Sequence, residues 1–154
     1  MTAAGPAVPG AGAAGSGAAD EVLRAAAELV AAFGGGDLEA YFGCFTEDAT
    51  FLFHTTDRLL GSTAEYRQEW VRWVAEDGFR MLECASDAAV VQVFGDTAVF
   101  THRVRTTVST TEGVSELSER ETIVFSRRDD GRWLAVHEHL SPDPTPGPMQ
   151  RLAE

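Results

Sequence analysis

The chain has 154 residues and a formal charge of −12 at pH 7. That length gives one domain with room for a core. The acidic balance argues against partners held by phosphate neutralisation, so neither nucleic acid nor an anionic membrane is expected. No apolar run reaches membrane-span length and no basic segment leads an apolar one at the start, so a cytoplasmic location is expected.

Residues 1–19 are almost all Ala, Gly and Pro and are expected to be disordered, because they bury too little surface to offset ordering entropy. Within them Gly10-Ala11-Gly12-Ala13-Ala14-Gly15 matches GxGxxG. Ala7-Val8-Pro9 ahead of it is no strand, so no dinucleotide is expected there. Asp20 caps a helix predicted to run to about Phe33, with Val22, Ala26, Leu29, Val30 and Phe33 at helical spacing and Gly34-Gly35-Gly36 ending it. Asp37 caps a second helix, Leu38 to Phe45, whose Tyr41, Phe42 and Phe45 form an aromatic ridge. Phe42 and Phe45 read as core; Tyr41 fits core or ligand wall, since a buried hydroxyl needs a partner. Cys44 and Cys84 form no metal or redox motif and read as reduced, small core residues.

Ala49 to Phe53 reads as a strand, with Ala49, Phe51 and Phe53 on one face and Thr50, Leu52 and His54 on the other. After a loop from His54 to Gly61, Ser62 or Thr63 caps a third helix to about Glu76, with Glu65 placed for a capping box. Its Tyr66, Trp70, Trp73 and Val74 share a face, a stripe that suits either core or an apolar ligand pocket. From Arg80 the pattern is strand: Arg80 to Ala85, Ala89 to Phe94, Thr97 to Val108 and Ser115 to Ser126, joined by short turns that imply antiparallel neighbours. Asp130-Gly131 turns the chain into a last strand, Trp133 to Ser141. Strict alternation puts Leu134, Val136, Glu138 and Leu140 on one face and Trp133, Ala135, His137 and His139 on the other. Residues 142–154 read as a flexible tail. Three helices followed by a long antiparallel sheet give an α+β fold, helices on one face of a twisted sheet, leaving a cone where a ligand can sit.

Two stretches carry a family resemblance. Gly36-Asp37-Leu38-Glu39-Ala40 with Phe45-Thr46-Glu47-Asp48-Ala49-Thr50-Phe51 resembles the opening of SnoaL-like proteins in the nuclear transport factor 2-like superfamily. Gly131-Arg132-Trp133 with Val136-His137-Glu138-His139-Leu140-Ser141 resembles the closing strand of the SnoaL-like and ketosteroid-isomerase-homologue branches. Ser118 to Ser141 also resembles the association domain of calcium/calmodulin-dependent kinase II. The resemblance covers about residues 20–142. It implies a cone-shaped α+β barrel, usually a homodimer packed through its sheet, in a superfamily of isomerases, dehydratases, cyclases, epoxide hydrolases and assembly domains. By the same alignment the kinase domain has pocket arginines where this chain has Val104, Ile123 and Leu140, which implies a more apolar pocket. It also turns Glu138 into the cone and His137 and His139 outward, towards a partner subunit.

Glu138 is the first choice for proton transfer, because a carboxylate in apolar surroundings loses hydration and its pKa rises. The competing structural reading is a carboxylate neutralised by a nearby Arg. His102, on the face of Ala98, Phe100 and Val104, is the second choice, as shuttle or oxyanion donor. Glu121 alternates with Ile123 and Phe125 and is expected inward, paired with His102. His137 and His139 have zinc-ligand spacing but lack an evident third ligand, so no metal is expected. No serine sits in a nucleophile elbow. The expectation is a cofactor-free isomerase, cyclase or dehydratase acting on an apolar carbonyl compound. Glu138, His102 and Glu121 would carry the chemistry. Tyr41, Phe51, Phe53, His54, Tyr66, Trp70, Trp73 and Phe100 would contact a small apolar ligand. The alternative is a non-catalytic ligand-binding or oligomerisation module.

Overall fold

Val22, Ala26 and Leu29 recur at helical spacing and are buried along helix α1, Gly12–Gly35, in the computed structural model, which describes residues 12–144. The helix starts ahead of the expected Asp20 cap and takes in part of the stretch expected to be disordered. The Ala-rich segment before Asp20 explains the difference, since Ala has the highest helix propensity. The expected tails fall partly outside the described residues, at 1–11 and 145–154.

Asp37 caps α2, Leu38–Phe42, through its carboxylate, which accepts from the Ala40 N–H at 3.1 Å. This helix ends before Phe45, the last residue expected in it. The Ala135 N–H donates to the Cys44 carbonyl at 2.8 Å and draws the chain into β1, Phe45–Phe53. Ser62 caps α3, Thr63–Asp77, and Glu65 reaches back to the Gly61 N–H at 3.0 Å, a capping box displaced by one residue. Gly78, at φ 64°, closes α3. Its N–H and that of Phe79 bond to the Val74 and Trp73 carbonyls, and the turn drops Phe79 onto Trp70 and Trp73. Val74, expected on the aromatic stripe, is exposed.

The sheet follows as β2 (Arg80–Phe94), β3 (Thr97–Thr110), β4 (Gly113–Arg127) and β5 (Trp133–Pro142). Its spatial order is β1-β5-β4-β3-β2, with β1 parallel to β5 and the other pairs antiparallel. The fold is α+β as expected, and the sheet is open rather than closed into a barrel. Helix α1 packs against β2 and α2, and α3 against β1. The two strands expected at Arg80–Ala85 and Ala89–Phe94 are one strand. Ala88, at φ 58°, sits in a bulge between Asp87 and Val90 rather than in a turn.

A second bulge matters more. Phe125 pairs with Ala135 and Val124 with His137, so Val136 has no partner. Side-chain parity reverses there: Trp133 and Ala135 point inward before the bulge, and Glu138 after it. Leu134 and Val136 therefore do not share the Glu138 face, contrary to strict alternation.

Gly78 is the local joint most open to test. An added Cβ would meet Thr111 Cγ2 at 3.0 Å in a left-handed backbone conformation. Gly78→Ala is expected to lower unfolding free energy by about 1–2 kcal/mol, read from urea denaturation midpoints at constant slope.

Candidate functional site

The inner face of β4 runs Leu117, Glu119, Glu121, and that of β5 carries Glu138 and Leu140 beyond the Val136 bulge. These residues and the aromatic sides of α1, α2 and α3 enclose a cavity of about 370 Å³. Glu138 and Glu121 line it, as do Tyr41, Phe53, Tyr66, Trp70 and Trp73. Phe51 is fully buried in the core behind the wall. Phe100 does not line this cavity but borders a separate groove between α1 and β2. His54 is outside the lining but bonds to it: its Nε2 lies 2.5 Å from Glu119 Oε2.

His102 is also behind the wall rather than on it. Its Nε2 lies 2.6 Å from Glu121 Oε1 and its Nδ1 2.6 Å from Ser86 Oγ. Burial lowers its pKa to about 4, against the attraction of Glu138, so the ring is neutral. With Glu121 as acceptor, the network sets the tautomer: Nε2–H donates to Glu121, and the Ser86 hydroxyl donates to Nδ1.

Glu138 is 4 % exposed. Burial pushes its pKa well up, and the charge of Glu121 pushes it further. Burial raises Glu121 to about 7, although its hydrogen bond with Glu138 works the other way. Two hydrogen-bonded carboxyls in a buried wall cannot both ionise cheaply, so the pair shares a proton. Tyr41 Oη is 3.5 Å from Glu138 Oε1 and 2.9 Å from Tyr66 Oη. A hydrogen-bonded line thus runs Ser86, His102, Glu121, Glu138, with the tyrosine hydroxyl pair at its cavity end.

The groups that act most on Glu138 are Glu121, His102 and Glu119, and among the described residues no arginine lines the cavity. The structural reading of Glu138 as an Arg-neutralised carboxylate therefore does not hold. Val104 and Leu140, two of the positions aligned with pocket arginines, do line the cavity, while Ile123 is buried beside it. Sequence reasoning missed Glu119, although it lies two residues before Glu121 and follows the same alternation. It also missed Cys84, expected in the core; Cys84 lines the cavity, and burial with the carboxyl charges pushes its thiol up to about 12. Phe33 and Phe79 complete the aromatic wall. His137 turns outward and its Nδ1 lies 2.7 Å from Thr50 Oγ1; His139 is exposed. Among the described residues, no three His, Cys, Asp or Glu side chains are disposed to hold a metal ion.

The sequence model of the SnoaL-like domain family matches residues 22–145, and the chain belongs to that family. Solved structures share the fold. A nuclear transport factor 2-like superfamily protein from Salmonella enterica superposes with a TM-score of 0.72 at 15% identity, over 86% of this chain and 95% of its own. A ketosteroid isomerase-like protein from Erwinia carotovora gives 0.67 at 18%, over 80% and 94%. A Catenulispora acidiphila protein, solved in complex with S-DNPA, gives 0.68 at 17%, over 83% and 95%. No curated protein matches the chain.

The shared proton has a signature in stability. A carboxyl whose folded pKa lies above its unfolded value stabilises at low pH, and that contribution is lost as pH rises through the folded pKa. His102, lowered in the fold, works the other way, but only below its unfolded value of about 6.5. From pH 6.5 to 8 the carboxyl contribution therefore stands clear of His102. Wild type is expected to lose melting temperature across that window, and Glu138→Gln is expected to flatten the loss.

Proposed function

We propose that the chain is an enzyme moving a proton next to a carbonyl group, as an isomerase, cyclase or dehydratase without a cofactor. The observation that carries this reading is the buried pair of carboxyls, Glu121 and Glu138, on the wall of an aromatic cavity that no arginine lines among the described residues. In this reading Glu121 is the base. Burial brings its pKa to about 7, where a general base balances ionisation against proton affinity at neutral pH. Glu138, held neutral, turns its O–H from Glu121 to the carbonyl oxygen as negative charge develops there and Glu121 takes up the substrate proton. His102 touches no substrate; its N–H holds Glu121 in place from behind. The aromatic rings of Tyr41, Trp70 and Trp73 keep water out and hold the apolar body of the substrate. A dimer packed through the outer sheet face, where His137 and His139 lie, fits this reading without contributing to the chemistry.

One observation favours a non-catalytic binding module instead: Glu121 already accepts hydrogen bonds from both His102 and Glu138. A single experiment separates the two. The protein is incubated in D₂O with small aryl ketones, and loss of α-proton signal is followed by NMR. Wild type is expected to accelerate exchange. Glu121→Gln, which removes the base, should lose about 10²–10⁴-fold. Glu138→Gln, which keeps an N–H donor, should lose less. Exchange no faster in wild type than in Glu121→Gln would support the binding module.

A further inference from the structure

Most arginines of this chain with assigned ion pairs serve carboxylates outside the cavity. Arg67 pairs with Glu39, Arg72 with Glu69 and Glu76, Arg127 with Asp96, and Arg103 with Asp87. The cavity is treated differently. Glu119, Glu121, Glu138 and, at the end of α3, Asp77 all line it; among the described residues no Arg or His does, although His54 and His102 reach Glu119 and Glu121 from outside the lining. The last turn of α3 carries no basic residue either, so its carbonyl end adds negative potential beside Asp77. The same lining carries aromatic rings: Trp70 and Trp73 lie with centroids 6.2 Å apart, Phe79 lies 5.1 Å from Trp70, and Phe33 5.9 Å from Trp70.

Aromatic faces are the negative ends of ring quadrupoles and attract cations, most strongly when desolvated. Carboxylates on an apolar wall without a cation are costly, and a bound cation would offset that cost. An anionic ligand would meet charges of its own sign on several sides. The Glu121–Glu138 pair keeps one negative charge beside its shared proton, and with Asp77 it leaves the lining net negative.

We infer that this cavity selects an organic cation: a ligand with an apolar body and an ammonium group seated among Trp70, Trp73, Phe79 and Asp77. The inference rests on reading the cavity as the substrate site and narrows the substrate to an amine-bearing carbonyl compound. The carbonyl then lies at the Glu121–Glu138 end and the ammonium at the mouth.

The test is calorimetric titration at physiological salt with three probes of similar apolar body: phenethyltrimethylammonium, 4-phenyl-2-butanone and 4-phenylbutyrate. The ammonium is expected to bind about ten-fold tighter than the ketone, with the butyrate weakest. Trp73→Leu should weaken the ammonium more than the ketone, and Asp77→Asn should weaken the ammonium several-fold while leaving the ketone within about two-fold. Equal binding of ammonium and ketone, tighter butyrate, no binding by any probe, or an ammonium affinity unchanged in both variants would overturn the inference. The outcomes separate it from the catalytic reading. Ketone binding with exchange but no cation preference sinks only the inference. Cation preference without α-proton exchange sinks only the catalytic reading.

Discussion

Glu138 faces the cavity because β5 carries one residue more than β4 opposes. Val136 is that residue. Without the bulge, the parity set by buried Trp133 and Ala135 would turn Glu138 outward and bring His137 and His139 inward. The bulge thus lets one strand place apolar side chains in the core near its start and a carboxyl beside the cavity further on. The same register puts Phe51 opposite Glu138 on β1 and Ile123 opposite it on β4, so apolar neighbours flank the carboxyl on both strands.

That placement sets the electrostatics. Removing a carboxylate from water costs several kcal/mol, and two adjacent ones cost more through repulsion. The wall meets this cost by keeping one proton between Glu121 and Glu138 and by aiming the His102 N–H at the ionised member. His102 is in turn fixed by Ser86, which β2 supplies next to its Asp87–Ala88 bulge. Both strand irregularities therefore lie next to the ends of one hydrogen-bonded line. The aromatic residues of α2 and α3 complete it, since Tyr41 and Tyr66 satisfy each other's hydroxyls at its cavity end.

Much of this was legible in the sequence, though not always for the right reason. Asp37, Ser62 and Gly78 punctuate the helices through local chemistry, and the Tyr66 and Trp70 spacing shows which face of α3 is buried. The two ends of the domain carry a family pattern that the SnoaL-like match over residues 22–145 bears out. Glu138 was singled out from apolar companions, Leu134 and Val136, that lie on the other face, because a bulge leaves no mark in an alternating pattern. Glu119 followed from one more step of the alternation that had already reached Glu121. The location of His102 behind Glu121 depends on how β3 and β4 pair, and the joining of α1 through Gly12 depends on Ala propensity outweighing Gly content. The substrate is a property of the assembled cavity and has no local signature.

The central claim is that Glu121 and Glu138 hold one proton between them on the cavity wall. The most direct measurement is a ¹³C NMR titration of side-chain carboxyls in glutamate-labelled protein, wild type beside Glu121→Gln and Glu138→Gln. The account predicts two resonances titrating together far above the ordinary Glu value of about 4.3. Each single substitution should remove one of them and shift the other. If every glutamate carboxyl titrated near its ordinary value, the shared proton would not exist, and the acid–base reading of the cavity would fall with it.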